Sequence, residues 1–145
     1  MLTEYLEKNK ILLEFRALDF KQLLKRMLKL SEERNCGSLI KKIIERERLM
    51  STALGKGVAL PRVVLENKAK TEIIIAVSKR GVNLTASDLV PVKIIFLFLF
   101  SKKDDYSLLL AESLRMLNDD TLRSEILNVK SAEELIQKIK KWEER

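Results

Sequence analysis

The sequence predicts a single α/β domain with a mixed central sheet of about four to five strands and helices on both faces. Two nearly continuous apolar runs, at residues 72–77 and 92–100, are typical of strands that helices cover on both sides. Amphipathic helical patterns precede and follow these two runs. The 145 residues suit one hydrophobic core, so residues 1–145 are taken as one domain.

The N-terminal third predicts one strand and two helices. Residues 11–17 (ILLEFRA) are apolar and then alternating, which fits a strand. Asp19 opens a helical pattern over residues 20–34 and, with Gln22 three positions on, has the sequence of a capping box. The apolar positions of this helix share one face: Phe20, Leu23, Leu24, Met27, Leu28 and Leu30. Cys36 and Gly37 are expected to break the pattern, and Ser38 to cap a second helix over residues 39–49.

The central third predicts strands. Residues 57–60 form a short apolar run that Pro61 ends, because proline has no N–H for a strand ladder. The two long apolar runs follow, and residues 79–81 (KRG) are expected to form a turn between them.

The C-terminal third predicts helices. Asp104 and Asp105 precede a helical pattern over residues 106–117, and negative charge is favourable at a helix N-terminus. A short helix is expected over residues 122–128. Ser131 and Glu134 then form a second capping box, which opens the last helix.

Composition limits the function classes. The net charge of +7 comes from 28 Lys and Arg against 21 Asp and Glu, and the excess lies in the first hundred residues. Such an excess suits a small anion, an acidic partner or a solvated surface. There is no run of five basic residues and no interleaving with aromatics, so nucleic acid is not favoured as a partner. The longest apolar run, residues 94–100, is far shorter than the ~20 residues of a membrane span, so membrane insertion is not expected.

The numbers of cysteines and histidines limit the kinds of site that the chain can form. The single Cys36 rules out an intramolecular disulfide and, with no secretory signal at the N-terminus, suggests a cytoplasmic protein. The chain has no histidine, so a metal site is not expected, and no cofactor is predicted. The many Lys, Arg and Glu also suit a thermophilic source.

Three segments together resemble a known family. They are RERLMSTALGKGVALPR at residues 46–62, DLVPV at residues 88–92 before an apolar strand, and KSAEEL at residues 130–135. In this order they resemble the enzyme IIA domain of the bacterial phosphoenolpyruvate-dependent sugar phosphotransferase system (PTS), in its fructose, mannitol and nitrogen-regulatory branch. The resemblance covers nearly the whole chain.

The resemblance implies a site from which the family's reactive residue is missing. In that family a histidine after the proline accepts a phosphoryl group from the phosphocarrier HPr, an arginine matched by Arg46 helps to hold the phosphoryl oxygens, and a second histidine falls at or near Tyr106. Here Arg62 follows Pro61, and neither histidine is present. A guanidinium stays protonated and has no lone pair with which to attack phosphorus. No catalytic residue is therefore predicted.

Two functions remain open from the sequence. The first is a regulatory binding module that contacts a protein partner (a kinase, a transporter or a PTS component) or a small anion through Arg46, Thr52, Arg62 and Tyr106. The second is a phosphoryl carrier that uses a non-histidine acceptor such as Ser51, Thr52 or Tyr106, although no histidine is available as a base. A third interpretation of Arg62 is a retired site with no remaining ligand.

Overall fold

The computed structural model describes residues 1–49, 56–83 and 90–145, without the side chains of residues 47–49. Five strands in these ranges form one sheet: β1 (Ile11–Leu13), β2 (Val58–Ala59), β3 (Arg62–Leu65), β4 (Glu72–Val82) and β5 (Val92–Ser101). β4 pairs with β1 on one side and with β5 on the other, and both β2 and β3 pair with the far side of β5. β4 and β5 are antiparallel and the other pairings are parallel. The sheet is mixed, which confirms the predicted fold class.

Helices cover both faces of this sheet. One layer contains α1 (Phe20–Leu28) and α2 (Cys36–Leu49). The other contains α3 (Tyr106–Leu117), α4 (Asp120–Leu127) and α5 (Ala132–Glu143), together with two 3₁₀ turns, Leu2–Tyr5 and Lys8–Lys10. In the described ranges no helix combines the length and the apolar character that crossing a membrane requires.

The two long strands supply the centre of the core because successive side chains point to opposite faces. On β5, Phe96 and Phe98 pack into the layer of α3–α5, whereas Leu97 packs into the layer of α1 and α2. All three side chains are fully buried. Burial of a side chain of this size stabilises the fold by about 1.5–3 kcal/mol, so the centre of a strand that is buried on both faces favours apolar residues at successive positions.

The predicted caps at Asp19 and Ser131 are confirmed, and Asp105, which was expected only to place negative charge at the start of its helix, is a cap as well. Asp19 accepts a hydrogen bond from the backbone N–H of Gln22 (2.8 Å), Asp105 from Leu108 (3.0 Å) and Ser131 from Glu134 (3.1 Å). The reciprocal bonds of the two capping boxes differ from the prediction, because each reaches one residue before the cap. The Gln22 side chain accepts from the Leu18 N–H, and the Glu134 side chain from the Lys130 N–H.

The predicted strand over residues 11–17 is too long. β1 ends at Leu13 because Glu14 has the left-handed backbone angle φ = 53°, which does not continue a strand. The change of direction places Phe15, which is 1% exposed, in the core between the sheet and the α1–α2 layer.

The predicted turn at residues 79–81 is wrong. These residues belong to β4, which continues to Val82 opposite Val92. Val77 pairs with Ile94, so more residues of β4 than of β5 lie between the two pairings, and the excess forms an irregularity of the bulge type. Gly81 has φ = 76°, and a Cβ there would lie 2.8 Å from the Val92 carbonyl oxygen. The glycine therefore marks a close approach of two strands.

The predicted boundary between α1 and α2 is also shifted. α1 ends at Leu28, whose carbonyl accepts hydrogen bonds from the Ser31 N–H (3.1 Å) and hydroxyl (2.6 Å). α2 begins at Cys36, and Gly37 lies in its first turn without breaking it. Ser38 is therefore inside the helix and does not cap it.

Candidate functional site

The residues that the sequence singled out meet at one end of the sheet. An open depression of 230 Å³ lies where α2, β3, β5 and α3 come together. Arg46, Arg62 and Tyr106 all line it. The other described residues of the lining are Val63, Val64, Phe100, Ser107 and Leu110. Thr52, the fourth candidate, and Ser51 lie outside the described residues.

Arg62 reaches the depression because the chain changes strand at Pro61. β2 ends at Ala59, Leu60 and Pro61 are buried, and β3 begins at Arg62. Pro61 cannot donate a hydrogen bond, but its carbonyl oxygen accepts one from the Phe98 N–H (3.0 Å), so the edge of β5 stays paired. Strand β3 was not predicted from the sequence, and it fixes the position of the Arg62 backbone.

The side chain of Arg62 is half-buried. Its Nη1 donates a hydrogen bond to the Leu60 carbonyl oxygen (3.2 Å). Arg46, which is exposed on α2, lines the same depression from the helical side. Two arginines from different elements, α2 and β3, therefore line one recess. The described part of its lining includes no carboxylate.

Tyr106 forms the opposite wall. It is the first residue of α3 and is 39% exposed. Its ring lies 5.4 Å from the Phe100 ring, and the Phe100 ring stacks on that of Phe98 at 5.0 Å. A row of aromatic rings thus leads from the buried sheet to the surface, which gives the phenol of Tyr106 a rigid apolar support.

The loop that presents Tyr106 is held by Asp104. One carboxylate oxygen of Asp104 accepts a hydrogen bond from the Tyr5 hydroxyl (3.0 Å), and the other accepts one from the Thr71 N–H (3.0 Å). The Asp104 carbonyl oxygen accepts from the Tyr106 N–H (3.0 Å). Burial alone would raise the pKa of Asp104, but the hydrogen bonds from Thr71 and Tyr5 outweigh it and lower the pKa. Asp104 therefore stays ionised and fixes the start of α3.

This support was not predicted from the sequence. Asp104 was expected only to place charge near a helix N-terminus, yet its partners Tyr5 and Thr71 are 99 and 33 residues away in the chain. No local pattern marks such pairs. Of the lining, Val64 was also missed, although it is 39% exposed on a strand.

The described site offers cations, an aromatic wall and hydroxyls. Two guanidiniums can bind an anion through charge-assisted hydrogen bonds. The hydroxyls of Tyr106 and Ser107 are weak nucleophiles unless a base activates them. No group of three or more acidic or cysteine side chains in the described ranges is placed to hold a metal ion.

Comparisons with known proteins agree with this arrangement of elements. The structure resembles the crystal structure of the nitrogen regulatory protein IIA-Ntr from Neisseria meningitidis, with a TM-score of 0.82 and 24% identity over 95% of this chain and 98% of the other. It also resembles IIA mannitol from Escherichia coli, with a TM-score of 0.74 and 18% identity over 92% and 98% of the two chains. At these identities the likeness shows a shared fold.

A third similar structure contains a complex. It is that of enzyme IIA mannitol with phosphorylated enzyme IIB mannitol from Escherichia coli, with a TM-score of 0.72 and 16% identity over 93% of this chain and 96% of the other. A search of curated proteins found no match. The family model described as "Phosphoenolpyruvate-dependent sugar phosphotransferase system, EIIA 2" matches residues 4–142. The chain therefore belongs to the EIIA 2 family of the phosphoenolpyruvate-dependent sugar phosphotransferase system.

Proposed function

We propose that this chain is a regulatory, protein-binding member of the EIIA 2 family that does not carry phosphate on histidine. The observation that carries the proposal is the composition: the chain has no histidine, and Arg62 follows Pro61 in the segment that resembles the family's active site. An imidazole can accept a phosphoryl group near neutral pH, whereas a guanidinium cannot. The scaffold of the site is present, and the family's acceptor is not.

The depression lined by Arg46, Arg62 and Tyr106 is proposed as the contact site for an anion or for an acidic group of a partner. Its two guanidiniums match the geometry of a phosphate or carboxylate. The partner class is a kinase, a transporter or a PTS component, and a cytoplasmic setting is proposed with it. Two of the similar structures support this choice: one is that of a nitrogen regulatory protein, and the other contains a IIA domain in complex with a IIB domain.

The proposal is tested by offering the chain a phosphoryl group. The purified chain is incubated with phosphoenolpyruvate, enzyme I and HPr, and its intact mass is measured, with a histidine-containing EIIA in the same mixture as positive control. We expect no added phosphoryl mass on this chain and full addition on the control. A stoichiometric, acid-stable adduct would contradict the proposal and favour the alternative carrier that uses a serine, threonine or tyrosine hydroxyl.

The variant Arg62→His provides a matched comparison. Circular dichroism first shows whether the variant folds like the wild-type chain. If the site is otherwise competent, the variant should gain an acid-labile adduct, which would assign the loss of phosphate transfer to residue 62 alone. If the variant stays unmodified, the remainder of the site has diverged from phosphate transfer as well.

The anion contact is tested separately by titrating inorganic phosphate while amide shifts are followed by NMR. A millimolar dissociation constant, about 4 kcal/mol, is expected for a free anion on an open site. The amides around Arg62 and Tyr106 should respond in the wild-type chain and respond less in Arg62→Ala. Equal responses in both proteins would mean that the depression is a retired site.

A further inference from the structure

A second surface, on the opposite side of α2 from the sheet, carries an unbalanced charge. Residues 20–46, which span α1 and most of α2, contain eight Lys and Arg against three Glu. Residues 106–145, which form the layer on the other face of the sheet, contain seven Lys and Arg against eight Asp and Glu. The segment that forms α1 and α2 therefore carries a net positive charge, whereas the segment that forms α3–α5 is close to balanced.

The lysines of this layer are available to a partner. Five are exposed: Lys21, Lys25, Lys29, Lys41 and Lys42. Within the part of the chain that the structure describes, none of the five forms an ion pair with a carboxylate. In the other layer Lys138 pairs with Glu125 and Arg123 with Asp120, whereas Lys140 and Lys141 form no ion pair with the described residues.

A groove of 400 Å³ is lined by two of these lysines, Lys21 and Lys41. We call it the α1–α2 groove, and its lining is Lys21, Gly37, Ile40, Lys41, Ile44 and Glu45. The five α2 residues recur every three or four positions, so they follow one side of the helix for two turns. A Cβ on Gly37 would meet no atom within 4 Å, so the groove is open at that end.

We propose that the α1–α2 groove binds an acidic, amphipathic segment of a partner protein. An aliphatic side chain of the partner would enter the groove against Ile40 and Ile44, and flanking carboxylates would pair with Lys21 and Lys41. This is the helix-in-groove mode of recognition, with the lysines providing charge complementarity. The surface is distinct from the depression lined by Arg62, and the proposal does not depend on the function proposed for that depression.

The residues of the groove favour a protein partner over a nucleic acid or an anionic lipid surface. The described lining contains no aromatic residue and no arginine, the side chains that stack on bases or read base edges in nucleic acids. The apolar residues of the groove are recessed, with Ile40 only 6% exposed, whereas insertion into a lipid surface requires protruding apolar groups. The recess fits a protruding side chain whose flanking acids lie beside Lys21 and Lys41 and away from the Glu45 carboxylate, which is also in the lining.

The test uses a defined probe: a fluorescent helical peptide with leucine on one face and glutamate on the other. Its binding to the full chain is measured by fluorescence anisotropy. The same peptide with lysine in place of glutamate, a DNA duplex, and phosphatidylserine-containing vesicles serve as comparisons. We expect the acidic peptide to bind, its affinity to fall as salt is raised, and the three comparisons to bind at least tenfold more weakly.

Two variants separate groove binding from general charge attraction. Gly37→Leu fills the groove without changing the charge, and Lys21→Glu/Lys41→Glu reverses the flanking charges. Each should weaken peptide binding at least tenfold. Lys140→Glu/Lys141→Glu applies the same charge change to exposed positions of α5 and should leave binding within about twofold. Thermal unfolding of each variant shows that it is folded.

Several results would overturn the proposal. If the acidic peptide does not bind, or binds Gly37→Leu as well as the wild-type chain, the groove is not a docking site. If both lysine double variants weaken binding equally, the attraction is a property of net charge. If DNA or vesicles bind more tightly than the peptide and lose affinity in Lys21→Glu/Lys41→Glu, the layer is a nucleic-acid or membrane contact.

Discussion

At the scale of single residues, the most consequential side chain outside the candidate site is Glu72. Its carboxylate is 4% exposed and lies 2.8 Å from Lys10 Nζ and 2.6 Å from Lys68 Nζ. It also accepts a hydrogen bond from the Glu32 N–H (3.0 Å). Both lysine side chains are nearly buried, and each has a second carboxylate partner, Glu7 and Glu33 respectively. One carboxylate thus joins the N-terminal segment, the loop after α1 and the start of β4.

The variant Glu72→Gln should be strongly destabilised. The amide has nearly the same shape but leaves two buried ammonium groups without their shared countercharge, and breaking a buried ion pair from one side costs about 3–5 kcal/mol. The free energy of unfolding is measured by urea titration. Glu66→Gln is the control, because Glu66 pairs with Lys102 at the exposed surface, where a pair contributes about 1 kcal/mol or less. Equal losses in the two variants would contradict the role of burial.

The acid stability of the chain should depend on the same carboxylate. Burial would raise the pKa of Glu72, but the hydrogen bonds from Lys10 and Lys68 outweigh it, so its pKa lies below the ordinary value of 4.5. A depressed pKa stabilises the folded state fully above the unfolded value, and this stabilisation is lost as the pH falls through the folded value. Below pH 4.5 the wild-type chain should lose stability in part through Glu72. The slope of unfolding free energy against pH in that window should be shallower in Glu72→Gln, and an unchanged slope would count against this assignment.

At the scale of elements, the β4–β5 pair combines a fully apolar centre with an irregular end. Gly57 lies at this end just before β2, and Gly81 lies there within β4. Both have left-handed φ angles, 77° and 76°. The Gly57 carbonyl oxygen accepts hydrogen bonds from the Lys93 and Ile94 N–H groups. The pairing with β5 therefore begins one residue before β2. These two glycines set how the strands enter the sheet.

Three glycine-to-alanine variants should change the stability of the fold in different directions and by different amounts. Gly81→Ala should be the most damaging, because the left-handed backbone costs about 1–3 kcal/mol and the new Cβ would lie 2.8 Å from a carbonyl oxygen. Gly57→Ala should cost about 1–2 kcal/mol, since its Cβ would lie an acceptable 3.4 Å from the Pro91 carbonyl oxygen. Gly37→Ala should stabilise by up to about 1 kcal/mol, because the residue is helical and has open space. Thermal unfolding gives the ranking, and a damaging Gly37→Ala would be inconsistent with the helical assignment.

At the scale of the whole molecule, the first residues of the chain are hydrogen-bonded to its last helix. The Glu143 carboxylate in α5 accepts hydrogen bonds from the Leu2 N–H (2.7 Å) and the Thr3 N–H (2.8 Å). Leu2 is buried in the core, and Tyr5 continues the segment to Asp104 beside the candidate site. The first 3₁₀ turn therefore connects the last helix with the loop that presents Tyr106.

The variant Glu143→Gln should loosen this connection. Its neutral amide oxygen can replace only part of two charge-assisted bonds, so a loss of about 1–2 kcal/mol is expected. The amides of Leu2 and Thr3 should exchange with deuterium faster, while those of β4 and β5 remain protected. Glu144→Gln, one position further on, is exposed and should leave the exchange unchanged. If Leu2 and Thr3 exchange equally fast in both variants, Glu143 does not hold the turn.

The sequence by itself determined the features that depend on neighbouring residues. The caps at Asp19 and Ser131 could be predicted because their hydrogen bonds close within three residues. The sheet class could be predicted because the centre of a strand that is buried on both faces is apolar at successive positions. The absence of histidine, and Arg62 after Pro61, are properties of the sequence alone. They exclude the histidine acceptor on chemical grounds, whatever the fold.

Only the tertiary structure decided the contacts between distant residues. The convergence of Arg46 and Tyr106 on Arg62 was expected from the family resemblance, but the depression, its Phe100 wall and the support from Asp104 required the folded chain. Residues 79–81 have the composition of a turn, yet β5 pairs beyond them and keeps them in β4. The burial of Glu72 among lysines is likewise invisible in sequence, because its partners come from three separate segments. Local patterns predict the caps at Asp19 and Ser131, whereas burial and pairing between distant segments determine which residues meet.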